Sequence, residues 1–91
     1  HAIRLDPEYA PAYHKRGSAY ENSGELQRAI QDLGESIRLS SQDPAAYADR
    51  AIVYTRLNMD APAQRDVNQA VRLGFDRSFL EREIEEIKKQ R

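Results

Sequence analysis

The chain repeats itself. Sliding the sequence along itself by 34 residues lays positions 10–43 onto 44–77. Ala12, Tyr13, Arg16, Tyr20, Ala29, Asp32, Arg38 and Leu39 then meet identical residues at Ala46, Tyr47, Arg50, Tyr54, Ala63, Asp66, Arg72 and Leu73. Average composition would supply about two such matches. Conservative pairs such as Gly17/Ala51, Ala19/Val53, Leu33/Val67, Ser36/Ala70 and Ile37/Val71 fall on small and apolar positions, where packing constrains size. A period of this length restricts the chain to stacked supersecondary units, because one unit alone leaves an apolar face uncovered. Carried backwards, the offset sets Ile3-Arg4-Leu5 on Ile37-Arg38-Leu39, so residues 1–9 read as the tail of a preceding unit.

Within each unit the apolar period is helical. Tyr13, Gly17 and Tyr20 lie at i, i+4 and i+7, and Leu26, Ala29, Ile30, Leu33 and Ile37 continue a stripe beyond Ser23-Gly24. The glycine supplies the turn, since it enters left-handed backbone conformations at little cost. In the second unit Asp60 is expected to cap a helix that carries Pro62 in its first turn. Pro7 and Pro44 mark the unit boundaries. The pattern predicts helices over 10–23, 26–40, 44–57 and 61–73, with residues 2–5 forming the last turn of an earlier helix. After Gly74 a fifth helix, capped by Asp76 or Ser78, shows one narrow stripe of Leu80, Ile84 and Ile87. Glutamates fill its first half and Lys88, Lys89 and Arg91 its end, which suits the helix dipole and allows Arg82–Glu86 and Glu85–Lys89 pairs. A helix with one apolar stripe and one solvated face covers the open end of a stack, and three apolar positions fall short of the several heptads a coiled coil requires.

The composition removes several functions. Without cysteine there is no disulfide framework and no thiolate metal site. Fourteen basic and fifteen acidic residues, a net charge of −1 and no segregation of sign give no field that gathers nucleic acid. No apolar stretch approaches the roughly 20 residues of a membrane span, and no charged start followed by an apolar core suggests a signal peptide within these residues, although a signal upstream of His1 would be invisible. A cytoplasmic location is expected. The sequence starts at His1 without an initiator Met and reads as a segment of a longer protein.

The tyrosine, arginine and alanine positions carry a resemblance. Tyr13-x2-Arg16-Gly17-x2-Tyr20 followed by Ala29-x3-Leu33, with its counterpart Tyr47-x2-Arg50-Ala51-x2-Tyr54 followed by Ala63-x3-Val67, resembles the tetratricopeptide repeat. The resemblance implies an all-α fold of antiparallel helix-turn-helix units in a right-handed solenoid. It divides one domain of residues 1–91 into a repeat tail at 1–9, repeats at 10–43 and 44–77, and a capping helix at 78–91. Two departures stand out. A leucine of the family pattern is replaced by Arg16 and Arg50, and the closing proline, kept at Pro7, becomes Ser41 and Phe75. Each arginine precedes an aspartate, Asp32 or Asp66, by 16 residues, which predicts an ion pair joining the two helices of each repeat.

Catalysis finds little material. His1 is terminal, and His14 has no nucleophile or second metal ligand at a meaningful spacing. The four glycines are isolated, so no phosphate-binding loop is present. The tyrosines recur at helical spacing, as core aromatics do. No catalytic residue, metal or cofactor is expected. The resemblance implies instead a non-enzymatic protein-interaction module whose first helices line a concave face. That face would present His14, Lys15, Ser18, Glu21 and Asn22 from one repeat and Ala48, Asp49, Ile52, Thr55 and Arg56 from the next. A mixed groove of this kind suits a protein or peptide segment. The clamp that some members use for chaperone-tail carboxylates would fall on His14, Ser18, Asp49, Phe79 and Glu83, whose acidic groups oppose a carboxylate. Self-association through exposed repeat ends, giving a homodimer, is the competing expectation.

Overall fold

The computed structural model describes residues 9–91. Five helices follow one another: α1 (Ala10–Asn22), α2 (Leu26–Leu39), α3 (Pro44–Arg56), α4 (Asp60–Arg72) and α5 (Arg77–Gln90). Each of the first four stops one residue before its expected end, where Ser23, Ser40, Leu57 and Leu73 act as C-caps. The expected helical turn over residues 2–5 lies outside the described residues.

Local chemistry sets the boundaries. Asp43 caps α3, its carboxylate accepting from the Ala45 amide at 3.0 Å, and Pro44 then occupies the first turn without losing a hydrogen bond. Asp76, rather than Ser78, caps α5 by accepting from the amides of Ser78 and Phe79 at 3.0 and 3.4 Å. Asp60 does not cap α4. Met59 takes the N-cap position without a side-chain bond, and Asp60 is the first helical residue. Its carboxylate is drawn away by Arg91, a charged partner stronger than a neighbouring amide.

α1 packs on α2 and α3 on α4, so each repeat is a helical hairpin. The predicted ion pair closes both. Arg16 grips Asp32 through two hydrogen bonds of 2.6 and 3.0 Å, and Arg50 grips Asp66 through two of 2.7 and 2.9 Å. Tyrosines flank the guanidinium groups, Tyr20 beneath Arg16 and Tyr47 and Tyr54 beside Arg50, with ring centroids between 5.6 and 5.9 Å away. Aspartate burial is thereby compensated, and no buried side-chain nitrogen or oxygen among the described residues lacks a partner.

The two junctions along the stack are built differently. Between the repeats, Ala29 and Leu33 of α2 meet Val53 of α3, with Tyr20, Leu26, Ile30 and Leu57 around them. Across this junction α3 therefore rests on α2 far more than on α1. At the far end Leu80 and Ile84 of α5 settle on Ala48 and Ala51 of α3 and Val67 and Ala70 of α4. The alanines leave room for close approach to α3, and α5 leans on it more than on α4. On its outer side, Arg77 pairs with Glu81 and Lys89 with Glu86, where the sequence suggested Arg82–Glu86 and Glu85–Lys89.

Candidate functional site

α1 and α3 meet along a polar seam. His14 projects from α1 so that Nε2 lies 2.5 Å from Asp49 Oδ2, while Nδ1 lies 3.7 Å from Asp43 Oδ2. The Asp49 hydrogen bond lifts the imidazole pKa above its ordinary 6.5, against burial, with the charges of Asp49 and Asp43 assisting. Two turns further along, Glu21 Oε2 lies 3.3 Å from Arg56 Nε. Burial raises the Glu21 pKa above the usual carboxylate value, with Arg56 opposing the shift and Asp49 adding to it. His14–Asp49 and Glu21–Arg56 both span 35 residues, one beyond the repeat offset.

The seam opens at one end into a cleft of about 330 Å³, where α1, α3 and α5 all finish. Leu26 and Ile87 give it apolar walls, and Glu21, Arg56, Gln90 and Arg91 give it polar ones. Arg91 is anchored by donating to the Thr55 carbonyl at 3.0 Å and to both Asp60 oxygens at 2.9 and 2.7 Å. Arg56 touches Glu21 through Nε and is half-exposed.

The family model for the tetratricopeptide repeat matches residues 1–31. Tetratricopeptide repeat protein 36 of Xenopus tropicalis is 32% identical over 79 residues, covering 82% of this chain and 39% of the relative. The human protein of that name is 34% identical over 77 residues, covering 80% and 41%. The chain belongs to the tetratricopeptide repeat family. It spans about two fifths of the length of these relatives. No solved structure gives a significant match. Membership suggests a protein–protein interaction module, and proteins built from these repeats are generally non-enzymatic scaffolds. Among the described residues no helix is long and apolar enough to cross a membrane.

In this tetratricopeptide repeat chain the residues anticipated for the concave face separate into two groups. His14, Glu21, Asp49 and Arg56 converge on the seam, with Ser18 half-buried and Lys15 and Asn22 exposed on the same helix. Ala48, Ile52 and Thr55 belong instead to the junction with α5. Ala48 is buried and Ile52 packs against that core. Thr55 is fully buried, its hydroxyl donating to the Ala51 carbonyl at 2.8 Å, so it offers nothing to a ligand. The cause is the lean of α5 toward α3, which covers the face that a more open stack would leave free.

Several participants escaped the sequence reading. Asp43 looked like a boundary residue because it precedes Pro44, and its second role facing His14 depends on the α2–α3 turn folding back toward α1. Leu26 comes from the start of α2, and Ile87, Gln90 and Arg91 from the end of α5, which only the stacked fold brings together. The common 35-residue spacing of the two seam pairs is a signal that the sequence did contain. Chemically, both imidazole nitrogens of His14 face carboxylates, leaving neither free to take a proton from a nucleophile. The carboxylates lie on opposite sides of the ring and cannot share one ion with it. Among the described residues no group of three or more histidine, aspartate or glutamate side chains is arranged to hold a metal.

Proposed function

We propose that the α1–α3–α5 side of the stack holds a segment of a protein partner, with the cleft at the helix ends receiving its main anchor. The observation that carries this reading is the cleft itself: apolar walls from Leu26 and Ile87 sit beside hydrogen-bonding groups of Gln90, Arg56 and Glu21. A short apolar side chain with an adjacent backbone amide and carbonyl meets both needs, in the manner of small, largely preformed sites. His14, Lys15, Ser18, Asn22 and Asp49 extend the contact along the seam. The scaffold is folded before binding, so the ordering cost falls mainly on the incoming segment.

The test is selection of binders from a phage-displayed library of random peptides, followed by amide chemical-shift mapping of one selected peptide on the full chain. Perturbations centred on Glu21, Leu26, Arg56 and Gln90, and weaker binding by Arg56→Ala, are expected. Perturbations centred on the outward face of α2 and α4, around Gln31 and Asn68, would move the site elsewhere.

A second reading is self-association, favoured by Phe79. This ring is 48% exposed and stands 6.2 Å from Phe75, forming an aromatic pair at the outer end of the stack. Light scattering over a hundredfold concentration range separates the two readings. A dimer lost on Phe79→Ser would establish the second, and a constant mass of 10.4 kDa would dismiss it.

A further inference from the structure

Apolar packing contributes little to the direct contact between α1 and α3. α1 meets α2 extensively and α3 only sparingly, and the core between the repeats is supplied by Ala29 and Leu33 of α2 against Val53 of α3. Among the described residues, the ion pairs from α1 to α3 are His14–Asp49 and Glu21–Arg56. The first has an unusual symmetry. A carboxylate faces each nitrogen of one imidazole, Asp49 from α3 and Asp43 from the turn before it. A protonated imidazole has two N–H donors and satisfies both sides, whereas the neutral ring carries one proton and turns a lone pair toward one of the carboxylates.

We infer that His14 is a proton-operated tie between the first and second repeats, closed when the imidazolium is held between Asp49 and Asp43 and loosened when the ring is neutral. The tie stands on the geometry of the seam whether or not the cleft takes a peptide. Other charged groups around it are already committed. Asp32 of α2 is gripped by Arg16, two positions along α1 and hence on another face of that helix. Arg50 of α3 is held by Asp66, and Glu21 of α1 is paired with Arg56. Lys15, next in sequence, is exposed.

The direction of proton affinity agrees with this arrangement, since the Asp49 hydrogen bond raises the His14 pKa despite burial. A basic group whose folded pKa exceeds its unfolded value of about 6.5 contributes stability that is complete below that value. The contribution is lost as pH rises through the folded pKa. Glu21 also binds its proton more tightly when folded, because burial raises its pKa. Glu21→Gln removes that uptake, and adding His14→Gln then isolates the part of the pH dependence that belongs to His14.

The experiment is a two-dimensional NMR titration of the His14 imidazole in the full chain, with urea unfolding of the Glu21→Gln protein at about pH 6 and about pH 9, on either side of histidine's range. The expected His14 midpoint lies above 6.5 and moves down in Asp49→Asn, and less far in Asp43→Asn. The urea midpoint is expected to fall between the two pH values, and the fall to be absent when His14→Gln is added. Amides of α1 and α2, corrected for intrinsic exchange, should exchange faster relative to α4 at the higher pH. A wild-type midpoint at or below 6.5, a midpoint indifferent to Asp49→Asn, or an undiminished pH dependence without His14 would each overturn the inference. If His14→Gln fails to fold, the titrations of the wild-type and aspartate variants decide the matter.

Discussion

The first and second repeats contain the same ion pair in different surroundings. Arg16 keeps 33% of its side-chain surface in solvent and Arg50 only 23%, although Asp32 and Asp66 are almost equally buried at 8% and 7%. Arg50 stands against two tyrosine rings of its own helix, Tyr47 and Tyr54, whereas Arg16 lies over Tyr20 alone, which Arg28 also approaches. Among the described residues, the second repeat is flanked by α2 on one side and α5 on the other. In a stacked protein, therefore, one sequence pattern acquires different energetic weight according to what flanks it.

The largest predicted effect tests that difference. Removing one member of a buried pair leaves the other charge uncompensated, so Asp66→Ala should cost about 4 kcal/mol by urea unfolding, and Asp32→Ala about 1 kcal/mol less. Replacing both partners of the second pair, with Arg50→Met and Asp66→Leu, should recover most of that loss, because desolvation is then avoided. Equal costs in the two repeats would show that the flanking helices do not set the weight of the pair.

Gly17 and Ala51 provide a second contrast at equivalent positions. A Cβ built on Gly17 would stand 3.0 Å from Leu33 Cγ and 3.3 Å from Asp32 Cβ. Leu33 is fully buried, and Asp32 is fixed by Arg16. Neither has room to retreat. Gly17→Ala should consequently cost about 1 kcal/mol, a moderate overpacking penalty that outweighs the gain in helix propensity. The second repeat accommodates the methyl of Ala51 fully buried, opposite Val67, a residue smaller than Leu33. Combining Gly17→Ala with Leu33→Val should restore part of the loss. Failure to do so would place the constraint in the backbone spacing of α1 and α2.

These contrasts show which parts of the molecule were readable from sequence. Helix positions followed from apolar spacing, and the Arg–Asp pairs from a shared 16-residue separation, because both depend on contacts repeated within each unit. The apolar face of the last helix was visible in its single stripe, from which Leu80 and Ile84 enter the core. Its lean was not. Whether Leu80 and Ile84 settle on α3 or on α4 depends on the surface offered by Ala48 and Ala51, a relation between helices far apart in sequence. That lean buries Thr55 and brings Arg91 to Asp60. Half of the candidate cleft was therefore hidden for the same reason that Ala48, Ile52 and Thr55 fell in the junction with α5 and not on the seam.

Arg91 allows the lean to be tested with a smaller perturbation. Its guanidinium ties the end of α5 to the Thr55 carbonyl and the Asp60 carboxylate, in a largely solvated setting where ion pairs contribute little to global stability. Arg91→Ala should leave the urea midpoint nearly unchanged but accelerate amide exchange in the last turn of α5, including Ile87. Unaltered exchange there would assign the lean to Leu80 and Ile84 alone.

A last contrast, of backbone and not of packing, concerns the turn between the helices of each repeat. Gly24 and Asn58 occupy equivalent positions and share a left-handed backbone, with φ of 84° and 62°. A Cβ on Gly24 would meet nothing within 4 Å, so any cost of substitution there comes from the backbone and not from crowding. Asparagine tolerates this region better than other residues with a Cβ, which is why the second repeat can use it. Gly24→Asn should thus cost no more than about 0.5 kcal/mol, while Gly24→Val costs about 1 kcal/mol beyond that. Urea unfolding of the two variants measures the gap directly. Equal costs would mean that the first turn needs something glycine alone supplies, and that the equivalence of the two turns is only one of shape.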